Sequence, residues 1–104
     1  ENFSNRKLIA FAGIGNPQNF FDFLKENHLN VVKEIHYPDH YEYSEKDLEN
    51  LNKLENKYKA KLITTEKDYL RINSFVRKRF DCIKVELRFE NEEAFKNSIK
   101  KLIV

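Results

Sequence analysis

Leu8-Ile9-Ala10-Phe11-Ala12-Gly13-Ile14-Gly15-Asn16-Pro17 passes from an apolar run to two glycines and at once to a helix-start signal. Leu8 to Ala12 reads as a strand buried on both faces. Gly13 and Gly15 permit a tight turn and close backbone approach to a ligand, and turning the chain alone would also account for them. Asn16 suits an N-cap and Pro17 the first helical position. Such a strand–loop–helix junction exposes backbone N–H groups where α/β domains place ligands.

Outward from that junction, Pro17 to His28 is predicted to be helical, with Phe20, Phe21, Leu24 and His28 on one face. Val31 to Tyr37 reads as a second strand, ended by Pro38. Ser44 opens a second helix with Glu45 and Asp47 in its first turn, and Leu48, Leu51, Leu54 and Tyr58 carry it to about Lys59. Lys61 to Thr64 is a short third strand, and Thr65 caps a brief helix over Glu66 to Asn73. Asp81 to Phe89 alternates, with Ile83, Val85, Leu87 and Phe89 against Lys84, Glu86 and Arg88. Asn91 caps a last helix with core face Phe95, Ile99 and Leu102.

The expected class is therefore α/β: a three-layer, Rossmann-like sandwich whose four-stranded, mostly parallel sheet has helices on both faces. The doubly apolar first strand belongs at the centre and the alternating fourth at an edge, so right-handed crossovers imply strand order 2-1-3-4. Residues 1–6 read as a linker remnant and 7–104 as a single domain, without internal repeats or low-complexity segments.

Composition narrows the function classes. The 104 residues suit one domain with a modest core, and 40% hydrophobic with 35% charged residues is globular rather than disordered. A net charge of +2 is too small to imply nucleic acid, and none is expected as a partner. Cys82 is the single cysteine, which excludes an internal disulfide and a multi-cysteine metal site, and it reads as a buried structural thiol. No apolar run approaches the roughly 20 residues that span a bilayer, and no signal peptide is visible. The chain starts with Glu1 and contains no Met, which points to a processed chain or a piece of a longer protein.

In a parallel sheet the three loops after strands one, two and three share one edge. They are Gly13-Ile14-Gly15-Asn16-Pro17, Tyr37-Pro38-Asp39-His40-Tyr41 and Thr64-Thr65-Glu66-Lys67-Asp68. Strands one and three would flank the switch point, where open α/β sheets bind ligands. Each element has a plainer reading: Asp39 as a turn stabiliser, His40 as a solvated loop residue, Glu66, Lys67 and Asp68 as first-turn charges. Lys67 facing a phosphate is the sharper alternative. His36 and His40 stand four apart, but Pro38 between them argues against a helical metal pair, and no metal site is expected. His28 reads as structural. Arg77-Lys78-Arg79 reads as a solvated turn, with anionic lipid headgroups as the alternative. The chain lacks a G-x-x-x-x-G-K-[ST] phosphate loop and a G-x-S-x-G elbow, so the rim has no complete catalytic apparatus of its own.

Three motifs in register resemble the carboxy-terminal half of tetraacyldisaccharide 4'-kinases. They are Phe11 to Gln18 with Phe20-Phe21, Tyr37 to Tyr41 with Tyr43, and Thr64 to Asp68. The resemblance covers the chain from about Lys7 to its end and is weakest after Arg71. It implies a parent enzyme that transfers the γ-phosphate of ATP, with Mg²⁺, to the 4'-hydroxyl of a tetraacyldisaccharide 1-phosphate in lipid A biosynthesis. The implied place is the cytoplasmic face of the bacterial inner membrane, as a peripheral protein. Nucleotide and metal would be held mainly by an amino-terminal kinase domain of the same polypeptide, leaving this domain inactive alone. The implied partners are that domain, the lipid A disaccharide precursor and the membrane surface. His40 would support a catalytic aspartate in the amino-terminal domain, with Asp39 beside it. Gly13, Gly15, Asn16, Thr65, Glu66, Lys67 and Asp68 would line the cofactor side of the cleft. Many family members read Asp-His-His where this chain has Asp39-His40-Tyr41, so no role passes to a second histidine. An autonomous nucleotide- or phosphate-binding module and a purely structural interaction domain are the alternative readings.

Overall fold

Leu8 to Ala12 are fully buried because their strand lies between two apolar layers. A computed structural model describes residues 6–80 and 82–86. Its strands are β1 (Lys7–Ala12), β2 (Asn30–His36), β3 (Lys61–Thr65) and β4 (Cys82–Val85). The helices between them are α1 (Pro17–Glu26), α2 (Glu45–Tyr58), α3 (Glu66–Leu70) and α4 (Ser74–Arg77). Every strand pair is parallel, in the expected order β2-β1-β3-β4.

Side-chain alternation along β1 divides the core. Leu8, Ala10 and Ala12 join Phe20, Phe21, Phe23 and Leu24 of α1, together with Ile63, Ile83 and Val85. Ile9 and Phe11 point the other way, onto Leu48 and Leu51 of α2 and onto Ile72 and Val76. The helices thus sit on both faces, as right-handed crossovers require. Ser44 caps α2 through a capping box: its side chain accepts from the Asp47 N–H, and the Asp47 carboxylate accepts from the Ser44 N–H. Among the described residues no helix is long and apolar enough to cross a membrane.

The structure amends several boundaries. Helix α1 stops at Glu26, two residues before His28. Asn27 Nδ2 donates to the Phe23 carbonyl at 2.8 Å, and His28 turns left-handed at φ 64°, which ends the helix. His28 is consequently exposed rather than part of the apolar face. The brief helix expected to reach Asn73 ends at Leu70, and Asn73 instead caps α4 by accepting from the Phe75 N–H at 2.9 Å. Arg77 therefore lies in a helical turn with its guanidinium 5.2 Å from the Tyr69 ring centroid, and Arg79 pairs with Glu45. Cys82 is half-buried, not enclosed. The expected continuation of the fourth strand to Phe89 and the helix after Asn91 lie outside the described residues.

One irregularity had no sequence signal. The pairing Leu8↔Val31 is followed by Ile9↔Lys33, leaving Val32 as a bulge in β2. The extra residue inverts the strand's parity, so Val31 packs towards α1 and Ile35 towards α2.

Leu24 tests the α1 layer, since it is fully buried against β1. Leu24→Ala is expected to cost about 2–5 kcal/mol. Urea titration should show this as a lower midpoint with an unchanged slope.

Candidate functional site

At the carboxyl edge of the sheet the chain leaves β1 for α1 on one face and leaves β3 for α3 on the other. The crevice between these diverging loops is the topological switch point. The loop after β2 packs onto the end of β1 beside it. Tyr37 N–H donates to the Ala12 carbonyl at 2.8 Å, and His40 N–H donates to the Gly13 carbonyl at 3.0 Å. The three loops expected on one rim do meet there.

Asp68 is what they meet on. It is fully buried, and its Oδ1 accepts from the Gly13 N–H at 2.8 Å and the Tyr43 hydroxyl at 2.9 Å. Its Oδ2 accepts from the Thr65 hydroxyl at 2.6 Å, while its own N–H donates back to Thr65 Oγ1 at 3.0 Å. Arg71 Nη1 stands 3.5 Å from Oδ1 and donates to the Gly13 carbonyl at 2.8 Å. Gly13 is thus held through both its N–H and its carbonyl. Asp68, expected on the cofactor side of the cleft, lies beneath the rim as the tie between loops. Thr64 is spent likewise, its hydroxyl donating to the Phe11 carbonyl at 2.7 Å.

Gly13 is required for space, not for a left-handed backbone, since neither glycine has positive φ. A Cβ on Gly13 would lie 2.8 Å from the Pro38 carbonyl oxygen and 3.3 Å from Asp68 Oδ1. The close approach made there is by the protein's own chain. Gly15 has more room: a Cβ would meet Asp39 Oδ2 at 3.5 Å.

Below the loop after β2 lies an aromatic wall. Tyr37 and Tyr41 stack at 4.8 Å, and Tyr43 meets them edge-on at 5.0 and 5.2 Å. Tyr41, which follows His40, is turned inward, and its hydroxyl donates to Asp47 at 2.8 Å. Burial, followed by the nearby Asp47 charge, pushes Tyr37 up to about 12. Burial and the adjacent Asp68 carboxylate drive Tyr43 far above the usual phenol range. For Asp47, burial works upward, but donors from Ser44 and Tyr41 outweigh it and hold the carboxyl below its ordinary value.

Two adjacent surfaces stand above this scaffold. On one, His40 projects from a left-handed position at φ 62°, its side chain 79% exposed. Arg71 Nη2 lies 3.3 Å from His40 Nδ1, and Asp39 Oδ2 lies 3.7 Å from Nε2, beyond hydrogen-bond range. The other is a cavity of about 540 Å³ between the start of α1 and α3. Gly15, Asn16, Thr65, Glu66 and Lys67 line it, with Ile14 and Leu70 as apolar wall and Glu86 at its edge. Asn16 lines this space and, contrary to expectation, its side chain makes no capping hydrogen bond. Gly13, Asp68, Asp39 and His40 are not among the lining residues. Among the described residues no group of three His, Cys, Asp or Glu could hold a metal ion.

Arg71 and Tyr43 were not singled out as site residues by the sequence. The spacing of Asp68 and Arg71, three apart in a short helix, was a usable signal for the first. The contact of Tyr43 with Asp68 spans 25 residues and had no local signature.

Two measurements test the scaffold. Gly13→Ala should cost about 1–3 kcal/mol, because backbone must move, whereas Gly15→Ala should stay within about 0.5 kcal/mol by the same denaturation assay. Tyr37 and Tyr43 hold raised pKa values in the folded state, so it keeps their protons where the unfolded chain loses them. Their contribution is complete below about pH 10 and declines as pH rises above it. Denaturation midpoints should fall above about pH 10, and Tyr43→Phe should flatten that decline.

The family profile described as tetraacyldisaccharide-1-P 4'-kinase matches residues 1–104. The tetraacyldisaccharide 4'-kinase of Rickettsia typhi is 43% identical over 96 residues, covering 92% of this chain and 30% of that protein. That of Pelagibacter ubique is 38% identical over 98 residues, covering 94% and 31%. The chain thus spans about a third of the length of these relatives. No solved structure matches it. With the rim assembled from the same three segments that carried the resemblance, this chain belongs to the tetraacyldisaccharide 4'-kinase family.

Proposed function

We propose that this chain is the carboxy-terminal domain of an ATP-dependent kinase that phosphorylates the 4'-hydroxyl of a tetraacyldisaccharide 1-phosphate in lipid A biosynthesis. The enzyme would work peripherally at the cytoplasmic face of the inner membrane, where its lipid substrate resides. The observation that carries this reading is His40, an exposed imidazole on a loop bonded to the Ala12 and Gly13 carbonyls and approached by Arg71. An imidazole so placed serves to orient a carboxylate base supplied by an amino-terminal domain of the same polypeptide. Phosphoryl transfer depends on positioning and charge stabilisation, and a second domain closing over the reactants contributes both.

The chain's own residues do not suit the whole of a magnesium-bound triphosphate. Among the described residues that line the cavity, Lys67 is the cation, and Glu66 and Glu86 are the carboxylates. The amino-terminal domain would therefore hold most of ATP and Mg²⁺, and this fragment alone would be inactive. Gly15, Asn16, Thr65, Glu66 and Lys67 would form the facing wall of an inter-domain cleft. Gly13 and Asp68 would set the shape of that wall from beneath, and Asp39 would border His40. This charge balance also weighs against an autonomous phosphate-binding module.

His40→Ala in the full-length kinase should lower turnover about 100-fold, with stability changed by less than about 1 kcal/mol because the side chain is exposed. Steady-state kinetics beside a denaturation curve measures both. Wild-type turnover in that variant would remove the role assigned to His40.

A further inference from the structure

We propose that Arg71 is a positioning residue for His40, fixing both the direction of its ring and the nitrogen that carries the proton. The assignment rests on the reading above for its catalytic meaning, but its structural content stands apart from it. An imidazole 79% exposed to solvent ordinarily samples several rotamers and both neutral tautomers. Here Arg71 Nη2 lies 3.3 Å from Nδ1. A guanidinium has donors and no acceptor, so the contact is a hydrogen bond only if Nδ1 is bare. The neutral ring then carries its hydrogen on Nε2, the nitrogen turned away from Arg71.

Arg71 is itself immobilised. Its Nη1 donates to the Gly13 carbonyl at 2.8 Å and stands 3.5 Å from the buried Asp68 carboxylate. The same carbonyl accepts the His40 N–H at 3.0 Å, so backbone and ring of His40 are both referred to one peptide. The planar fork of a guanidinium sets the Nη1–Nη2 geometry, which a lysine could not copy. The charged groups facing the ring are Arg71 on the Nδ1 side and Asp39, with Oδ2 3.7 Å from Nε2. The outcome is an Nε2–H donor held in a set direction, the form an imidazole needs to hydrogen-bond a carboxylate.

Long-range ¹H–¹⁵N spectra of histidine-labelled protein, with His40 assigned by its loss in His40→Ala, read the ring directly. Wild-type protein should show Nε2–H in excess of the tautomer mixture of free imidazole, with a rigid ring. Arg71→Ala should return the shifts to that mixture and mobilise the ring. Arg71→Gln, which keeps a donor near Gly13 and so guards against loss of the fold, should do the same. Tyr43→Phe removes a different donor from Asp68 and should leave the ring signals in place. Unchanged shifts and ring order in the Arg71 variants would overturn the proposal, as would an equal response in Tyr43→Phe. In the full-length kinase, Arg71→Gln should lower kcat about 10-fold with KM for ATP and lipid little changed. Ring signals that respond while both Arg71→Gln and His40→Ala leave turnover intact would sink the catalytic reading and spare the positioning one.

Discussion

A buried carboxylate is costly unless donors surround it. Asp68 is buried completely, and the donors that satisfy it come from three separate segments: Gly13 after β1, Tyr43 before α2, and Thr65 at the end of β3. Each of these donors offsets part of that cost, so the arrival of the three loops is coupled at one carboxylate. The sheet brings the segments to one edge, but it is this electrostatic requirement that sets their separation to within a hydrogen bond.

The rim consequently has two levels with different demands. Beneath, Gly13, Thr64, Asp68, Tyr43 and the stacked tyrosines are packed and satisfied, and they tolerate little change in volume or charge. Above, Asp39, His40, Asn16, Glu66 and Lys67 are partly or fully exposed and are constrained chiefly through their backbone. Arg71 connects the levels, since one nitrogen reaches the Gly13 carbonyl and the other reaches the imidazole. A second domain that closed on this edge would meet polar side chains whose footing is rigid.

Much of this was legible in the residues. Five apolar residues in a row marked β1 as central, and Ser44 with Asp47 marked the start of α2, because both signals are local. The parallel order followed from the alternation of strands and helices and from crossover handedness. The role of Asp68 was not legible: an acidic residue in the first turn of a helix looks the same whether it greets a ligand or accepts from Gly13, 55 positions away. Gly13 posed the same difficulty, because a glycine that admits a ligand and one that admits Pro38 leave one sequence trace. Asn16 followed the N-cap preference in position and not in bonding, and α4 was hidden in a basic run whose cations are drawn onto Tyr69 and Glu45. The parallel order located the rim and the family resemblance suggested its roles; only the structure separated its supports from its surface.

The single extra residue at Val32 has a wider effect than its size suggests. Every strand position from Lys33 onward is displaced by half a pleat cycle relative to an uninterrupted strand, so Ile35, and Tyr37 just beyond it, pack into the α2 layer. β2 thus works as a phase setter, choosing which way the chain faces as it leaves the sheet. Lengthening or shortening this strand by one residue would interchange inward and outward positions from Lys33 to His36, whereas a change of two would preserve them.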